Sequence, residues 1–235
     1  MKTILLKFSG PLQSWGTSSY FETRHTDLYP SKSAVIGMIA ASMGYQRNDD
    51  ENIQALNALD FAVRVDQSGQ LLSDYHIAKI CKNNGEVEKP YVTNRYYLED
   101  AVFVAAIGHK DDLFVEDIAK GLQNPYFQPF MGRRSLPLTA DFFLGVYDTD
   151  VITALKSHPW QARKAYQQAN SNRLSIYSDA HLQLDGQPSG IRKDRVISFS
   201  QKSRRFGFRS EVKIAVTVKG SARSTEHDAF GALGG

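Results

Sequence analysis

The chain has 235 residues, 42% of them hydrophobic and 23% charged, and a formal net charge of +3 at pH 7. This composition fits one large globular domain, or one domain with a small second one, and excludes an intrinsically disordered chain. The single cysteine, Cys81, excludes an internal disulfide framework and a cysteine-based metal cluster, and it favours a reducing compartment. The apolar runs are too short for a secretory signal or a membrane span, so we expect a cytoplasmic protein with no membrane role.

The first residues predict a strand, a long loop and a helix. A short buried strand is expected at 4–8, and residues 9–30 lack periodicity and contain glycine and proline breakers, as functional loops do. Ser31 is the expected N-cap of a helix over 32–43, which Gly44 ends. This helix is apolar nearly all round, so it should be buried against a sheet.

The middle of the chain predicts strands around a protruding segment. Residues 61–65 alternate as a half-buried strand, and residues 74–80 are its continuation or its partner. Residues 81–95 are polar and carry a turn signal and a proline, which predicts a protruding hairpin or a mobile loop. A strand at 101–107 and a helix from Asp111 or Asp112 to about residue 122 follow. This order is typical of the split βαβ unit of ferredoxin-like and RRM domains.

The last third of the chain turns to a β pattern. A strand at 142–147 and a short helix at 150–157 precede strands expected at 174–177, 181–184, 196–199 and 212–218. Asp185 and Gly186 form a candidate hairpin turn, and residues 221–235 are expected to be a flexible tail.

Charge is distributed unevenly along the chain. Residues 191–223 hold ten lysines and arginines against two acids, a net +8, whereas residues 44–74 hold six acids against two arginines, a net −4. Such asymmetry suggests a basic face for a polyanion, with a solvated charged surface as the alternative. Within the basic stretch, Phe206 and Phe208 stand among Lys202, Arg204, Arg205 and Arg209. Aromatic rings could stack bases there, or face the core while the cations face outward.

The sequence lacks the nucleotide-loop, nucleophile-elbow and zinc-protease motifs, and its six histidines show no metal-ligand spacing. We therefore expect no metal and no cofactor. Metal-independent RNA cleavage needs a base, an acid and a cation, and Asp74, Tyr75, His76 and Lys79 supply those types. Tyr75 and His76 would point to opposite faces of a strand, and a packed tyrosine with a hydrogen-bonded histidine is the plainer interpretation. His25, beside Arg24, is a second candidate.

The most specific element is the segment 130–139. Gly132 would allow close approach of backbone to phosphate, Arg133 and Arg134 offer planar forks for phosphate, and Ser135 adds a hydroxyl. The alternative is a turn whose arginines pair with local acids such as Asp141.

Five short motifs resemble the CRISPR-associated CasD family, the fifth Cas family of the RAMP superfamily, in its type I-E form. Residues 132–139 (GRRSLPLT) resemble the family's G-R-R-S-x-P-L-T element, and residues 10–16 (GPLQSWG) resemble its start. Residues 29–33 (YPSKS), 44–49 (GYQRND) and 74–76 (DYH) also stand in the expected places. The resemblance runs in order from residue 4 to about residue 215.

The resemblance implies an α+β fold. Residues 1–147 would form a ferredoxin-like (RRM/RAMP) domain with a β-hairpin thumb at about 81–96, and residues 148–220 a small, mainly β C-terminal region before the tail at 221–235. It also implies a non-catalytic RNA-binding subunit of the type I-E Cascade complex that caps the 5′ handle of the CRISPR RNA. The implied partners are the backbone subunit and the large subunit, with target DNA contacted indirectly. In type I-C relatives the fifth family cuts the repeat RNA itself, so a metal-independent endoribonuclease is the alternative.

The same resemblance implies the contact residues. Trp15 would stack a base or fill the core, and Lys32 and Ser33 would meet phosphate at a helix N-terminus. Arg95, or Lys89, would touch RNA from the thumb. The RNA-binding residues that we predict are Gln13, Trp15, Gly16, Arg24, Lys32, Ser33, Tyr75, His76, Arg95, Gly132, Arg133, Arg134 and Ser135.

Overall fold

The chain folds as a mixed α/β protein with mainly antiparallel sheets, as seen in a computed structural model that describes residues 1–18, 22–183 and 187–219. The strands are β1 Lys2–Ser9, β2 Leu12–Gln13, β3 Thr23–Arg24, β4 Asp60–Gln67, β5 Gln70–Cys81, β6 Val87–Glu99, β7 Val102–His109, β8 Phe143–Tyr147, β9 Arg173–Asp179, β10 Gln187–Ser198 and β11 Arg205–Thr217. The helices are α1 Lys32–Ser42, α2 Asp50–Ala55, α3 Asp112–Gln123, α4 Val151–Ser157 and α5 Lys164–Ala169, with 3-10 turns at Leu56–Ala58 and Ala180–Leu182.

Seven strands form the main sheet, in the order β10-β11-β9-β4-β7-β1-β8, and every neighbouring pair is antiparallel. A smaller sheet has the order β2-β6-β3, with β5 paired to β6. Strands β9, β10 and β11 come from the predicted C-terminal region, and they continue the main sheet beside β4 rather than starting another. The coarse expectation of a mixed chain rich in antiparallel strands is therefore confirmed.

The main sheet is a middle layer with apolar side chains on both faces. On one face α1 and α3 cover Ile4, Phe8 and Phe103, and on the other α4 covers Leu5 and Val104. Strands β1 and β7 contribute apolar side chains to both faces of the sheet, because successive side chains of a strand point to opposite faces. The sheet thus has no open central face, and its loops carry the exposed polar groups.

The predicted helix caps are confirmed. The Ser31 hydroxyl accepts a hydrogen bond from the backbone N–H of Ala34, and the Asp111 carboxylate accepts from those of Leu113 and Phe114. These bonds satisfy N–H groups that the first helical turn would leave without a partner. Gly44 follows α1 with a φ of +82°, the left-handed conformation that glycine tolerates best at a helix end.

The predicted half-burial of residues 61–65 is wrong. Strand β4 lies in the middle of the main sheet, so both of its faces are covered and Arg64 is 0% exposed. The guanidinium of Arg64 donates to the Asp66 carboxylate and to the backbone carbonyls of Leu155, His158 and Pro159. A buried arginine is tolerated here because an acid and several carbonyls meet it.

Other local expectations also change. Residues 74–80 are neither a continuation nor a partner of β4, since β5 pairs with β6 in the smaller sheet. The described part of the expected strand 181–184 is a 3-10 turn, and helices α2 and α5 were not predicted. The turn candidate Asp185–Gly186 and the tail 221–235 lie outside the described residues.

Strands β5 and β6 form a long antiparallel hairpin that joins at residues 82–86. Of the two alternatives for residues 81–95, a hairpin or a mobile loop, the hairpin is the one observed. It begins earlier than predicted, at Gln70. Within the described residues, no helix is both long and apolar enough to cross a lipid bilayer.

Candidate nucleic-acid interface

Residues 130–137, which we call the arginine loop, form a tight reversal of the chain. Phe130 and Pro137 make an isolated antiparallel bridge, and the Met131 N–H donates to the Leu136 carbonyl over 2.8 Å. The Leu136 N–H donates in turn to the Arg133 carbonyl over 2.9 Å. Since Met131 and Leu136 are buried, the loop is anchored on both sides, and Arg134 and Ser135 stand exposed at its tip.

Gly132 adopts a φ of +82°, and it touches the first loop, residues 10–30. A Cβ atom at this position would lie 1.7 Å from the backbone oxygen of Ser14. The Ser14 N–H also donates to the Met131 carbonyl over 3.3 Å. The glycine is therefore needed for contact between two protein loops, and its role in phosphate approach stays a prediction.

Arg133 joins the arginine loop to the smaller sheet. Its Nη2 donates to the carbonyls of Arg24 and Tyr96 over 3.0 Å each, and its guanidinium lies 4.1 Å from the ring centre of Tyr97. Its Nη1 is buried without a hydrogen-bond partner in the described part of the chain. Arg133 therefore braces the loop through Nη2 and the Tyr97 ring, while its buried Nη1 has no acceptor among the described residues.

Two further arginines lie beside this brace. Arg24 in β3 pairs in register with Arg95 in β6, and Arg95 faces Asp74 across the hairpin. No ion pair within the described residues involves the guanidinium of Arg24, Arg95 or Arg134. The acid that could have neutralised the loop is engaged elsewhere: Asp141 binds the Lys7 ammonium over 2.7 Å, and that hydrogen bond lowers the pKa of Asp141. The alternative of arginines paired with Asp141 is therefore wrong.

Gln13 and Trp15 are buried, so we correct their predicted RNA contact to a structural role. The Gln13 side-chain amide donates to the carbonyls of Ala101 and Phe8, and its oxygen accepts from the Trp15 indole N–H over 3.0 Å. Trp15 is 1% exposed and packs against Phe8. Of the two alternatives for Trp15, core packing is the one observed. Gly16, the next residue, is exposed.

Lys32 and Ser33 are also buried. The Lys32 ammonium pairs with Asp179 over 2.9 Å, and its backbone N–H donates to the Asp194 carboxylate over 3.0 Å. The anion at the N-terminus of α1 is thus a carboxylate of the protein itself, which corrects the expected phosphate position. The hydroxyl of Ser33 lies 3.3 Å from that of Ser31.

These contacts belong to a larger group of charged side chains, which we call the buried ion network. Its members are Lys32, Asp179, Arg192, Asp194, Arg209 and Glu211. Arg192 also binds Asp27 over 2.6 Å and lies 4.5 Å from the ring centre of Tyr29, so the network ties the first loop to β10 and β11. Burial and the hydrogen bond to Glu211 raise the pKa of Tyr29. Arg209, expected among surface cations, is therefore internal.

Tyr75 and His76 lie on the hairpin, and they point to opposite faces as predicted. His76 pairs with Asp74 on the face that also carries Arg95, whereas Tyr75 and Lys79 lie on the other face. The four residue types that RNA cleavage would combine are thus divided between two surfaces. His25 stacks on Tyr96, with ring centres 5.4 Å apart. Among the described residues, no cluster of three His, Cys, Asp or Glu could hold a metal ion.

Sequence reasoning missed the backbone carbonyls of Arg24 and Tyr96 that orient Arg133, and it missed the buried ion network. Every residue has a backbone carbonyl, so the residue types cannot show which carbonyls accept a hydrogen bond from Arg133. Asp194 and Glu211 did carry a signal, because they interrupt an otherwise basic stretch. A lone acid among cations indicates an internal ion pair when its strand has one buried face.

The described geometry has known counterparts. The family of CRISPR-associated proteins described as Cas_Cas5 matches residues 3–211. The chain is 32% identical over 190 residues to the CRISPR system Cascade subunit CasD of Escherichia coli strain K12, covering 75% of this chain and 80% of that protein.

Two solved structures are similar along nearly the whole chain. A chain of a CRISPR RNA-guided surveillance complex is 30% identical with a TM-score of 0.78, and the match covers 98% of this chain and 99% of that one. A Cas protein seen in a crystal structure is 27% identical with a TM-score of 0.66, covering 93% of this chain and 98% of that one.

Proposed function

The chain belongs to the Cas5 family of CRISPR-associated proteins, and from this membership we propose that it is an RNA-binding subunit of a Cascade surveillance complex. In that complex it grips the repeat-derived 5′ handle of the CRISPR RNA. The observation that carries the proposal is the group of Arg24, Arg95, Arg133 and Arg134 at the first loop and the arginine loop, none of which forms an ion pair within the described residues.

The chemistry of this group favours a phosphate backbone over a single anion. Arg24 and Arg95 are neighbours on adjacent strands, and Arg134 and Ser135 project from a separate loop. Charges spread along a surface match phosphates repeated along a strand, and arginine forks bind phosphate oxygens in pairs. Contacts of this kind position an RNA by its backbone, while unstacked bases supply any sequence recognition.

The buried motifs support the same proposal in a different way. Gln13 and Trp15 fix the path of the first loop from inside, and the Ser14 backbone seats the arginine loop. The exposed arginines are therefore held on a rigid base. A preorganised surface loses less conformational entropy on binding than mobile side chains on a mobile loop would.

We also propose the finer fold assignment. The strand order β8-β1-β7-β4, with α1 between β1 and β4 and α3 between β7 and β8, is that of a ferredoxin-like domain. The β5–β6 hairpin would be its thumb. The boundary near residue 147 then separates this domain from strands that extend its sheet rather than from an independent unit.

The partners in this proposal are the backbone subunit, the large subunit and, through them, target DNA, in the cytoplasm. The support is the likeness to a Cascade subunit and to a chain of an RNA-guided surveillance complex over most of both chains.

We propose that the chain binds its RNA without cutting it. Asp74 and His76 lie on one face of the hairpin, and Tyr75 and Lys79 lie on the other. These four side chains therefore do not form one site that combines an acid, a base and a cation. The second candidate, a metal-independent endoribonuclease, retains the His76–Asp74 pair with Arg95 opposite. Incubation with repeat RNA in EDTA tests it: products with 2′,3′-cyclic phosphate ends, lost in His76→Ala, would establish cleavage.

The binding proposal is tested with the double variant Arg133→Ala, Arg134→Ala. Two lost arginine–phosphate contacts should weaken binding of the handle RNA by about 3 kcal/mol or more and prevent recovery of a complex containing guide RNA. Binding is measured by fluorescence anisotropy, and assembly by co-purification with the neighbouring subunits. The matched control is Arg173→Ala, an exposed arginine at the start of β9. Normal assembly of the double variant with bound guide RNA would refute the site.

A further inference from the structure

Strands β10 and β11 form a second basic surface, which we call the C-terminal hairpin. Six cations on it are exposed, and none forms an ion pair within the described residues: Lys193, Arg195, Lys202, Arg204, Arg205 and Lys213. Lys213 lies over the ring of Tyr177, 5.5 Å from its centre. Two large apolar side chains stand among them, Ile191 at 72% and Phe208 at 67% exposure. Nothing in the proposed handle site uses these residues.

The acids of the hairpin strands do not offset this charge. Asp194 and Glu211 are 0% and 2% exposed, and both point inward to bind Arg209. Because the buried ion network absorbs both carboxylates, the outer face retains cations alone. An uncompensated cationic face is costly through its own repulsion, and a polyanion relieves that cost.

Phe208 and Arg195 line two adjoining clefts. The first, of about 380 Å³, is also bounded by the exposed His181, and Lys32 and Arg209 line it. The second, of about 310 Å³, continues toward Gln54 and Ile197. Lys32 and Arg209 are already neutralised by Asp179 and Asp194, so the free charge at this position comes from Arg195.

The balance of charge and aromatic surface identifies the class of ligand. The cores of protein interfaces are depleted of charged residues, whereas this hairpin exposes six cations together with two large apolar side chains. A duplex keeps its bases stacked, so a phenylalanine can meet the plane of a base there only at the cost of unstacking a base step. A single strand can place an unstacked base on an aromatic ring while its phosphates meet cations.

We propose that the C-terminal hairpin is a second single-stranded RNA site, in which Phe208 stacks an unpaired base and Arg195 binds the adjoining phosphate. Lys202, Arg204 and Arg205 extend the phosphate track toward the hairpin tip, and Lys193 extends it in the other direction. The choice of RNA rests on the proposed function, while the site itself rests on the surface described above. The ion pair between Arg192 and Asp27 connects this hairpin to the first loop.

The test uses the full chain and a fluorescein-labelled twelve-nucleotide oligouridine, which lacks any handle sequence. Phe208→Leu keeps an apolar side chain without a π-face and should weaken binding about fivefold to a hundredfold, whereas Phe208→Trp should retain it. Arg195→Gln should reduce the slope of log affinity against log salt concentration by about 0.7, the value for one phosphate contact on a single strand. Lys156→Gln, on an exposed position of α4, is the control and should change neither quantity.

Three outcomes would overturn the proposal: unchanged RNA affinity in Phe208→Leu and Arg195→Gln, tighter binding of oligothymidine DNA than of RNA, or loss of protein partners with RNA affinity intact. The handle site is tested separately by Arg133→Ala, Arg134→Ala on the same probe. If that variant keeps oligouridine binding and loses handle binding, the two sites are independent. If oligouridine binding disappears with the handle site alone, the second site is refuted and the proposed function stands.

Discussion

The first loop and the arginine loop touch each other, and both carry motifs of the same family. They differ in whether their polar side chains bond within the protein or face solvent. Gln13 and Trp15 bond to each other and to the core, whereas Arg134 and Ser135 point to solvent. Arg133 does both, bracing two carbonyls while one donor has no partner in the described chain. A residue within a shared motif can thus serve a binding surface either by contact or by holding the contacts in place.

This comparison predicts that the two regions fail in different ways. The supporting region, as we call it, comprises Gln13, Trp15, the buried ion network, and the Arg64–Asp66 pair with His158. Substitutions in this region should lower the free energy of unfolding and leave the RNA affinity of the folded molecules unchanged. Substitutions at the arginine tip should do the opposite.

The largest effect is expected for Asp194→Ala. Its carboxylate accepts from two guanidinium nitrogens of Arg209 and from the Lys32 backbone N–H, all in the interior. Removal takes from Arg209 one of its three carboxylate partners and leaves the buried Lys32 N–H without an acceptor, which should cost about 3–5 kcal/mol of stability. Urea unfolding followed by circular dichroism measures this loss. The control is Asp117→Ala, whose exposed pair with Lys120 should contribute less than about 1 kcal/mol. Equal losses of unfolding free energy in the two variants would show that the buried ion network does not stabilise the fold.

A smaller loss of stability is expected for Gln13→Ala. The substitution leaves the carbonyls of Phe8 and Ala101 and the Trp15 indole N–H without their partner, at a cost of about 2 kcal/mol. Handle RNA affinity, corrected for the folded fraction, should not change because the side chain is fully buried. Gln70→Ala, on an exposed residue of β5, is the matched control. If Gln13→Ala lost RNA affinity without losing stability, Gln13 would contact RNA directly and its structural role would be refuted.

The two adjacent arginines should separate the roles within one loop. Arg134→Ala should weaken handle binding by about 1–2 kcal/mol without changing stability, since its side chain makes no ion pair in the described structure. Arg133→Ala should lower both quantities, because its Nη2 also holds two backbone carbonyls. Isothermal titration and urea unfolding on the same samples give both values. Identical behaviour of the two variants would contradict the division that we draw.

Much of this could be predicted from the sequence, and the failures share a cause. Helix α1 was located closely because its cap and apolar length are local signals, and the hairpin because a turn signal interrupts polar strands. Half-burial of β4 was wrong because burial depends on neighbours: β9 lies beside β4 although more than one hundred residues separate them in sequence. Lys32 was misassigned for the same reason, since Asp179 and Asp194 reach it from distant strands.

The arginine surface was predictable in composition, but its distribution of roles was not. Adjacent arginines with a glycine indicate a phosphate loop whichever one carries the contact. Only the fold decides that Gly132 admits the Ser14 backbone and that Arg133 faces two carbonyls.

The smallest predicted effect is a pH dependence confined to the supporting region. Burial, and then the charge of Arg64, lower the pKa of His158, with Asp66 opposing and Lys7 adding to the shift. The unfolded chain therefore binds a proton below about pH 6.5 that the folded chain resists, so the contribution of His158 to stability is complete above that pH and is lost as pH falls. His158→Phe should flatten this fall while keeping the ring contact with Tyr147. Handle affinity of the folded molecules should not follow the same curve, because arginine does not titrate in this range. If affinity and stability fell together in wild type and both were flattened in His158→Phe, the supporting and contacting regions would be one titrating unit, and the separation between the two loops would be lost.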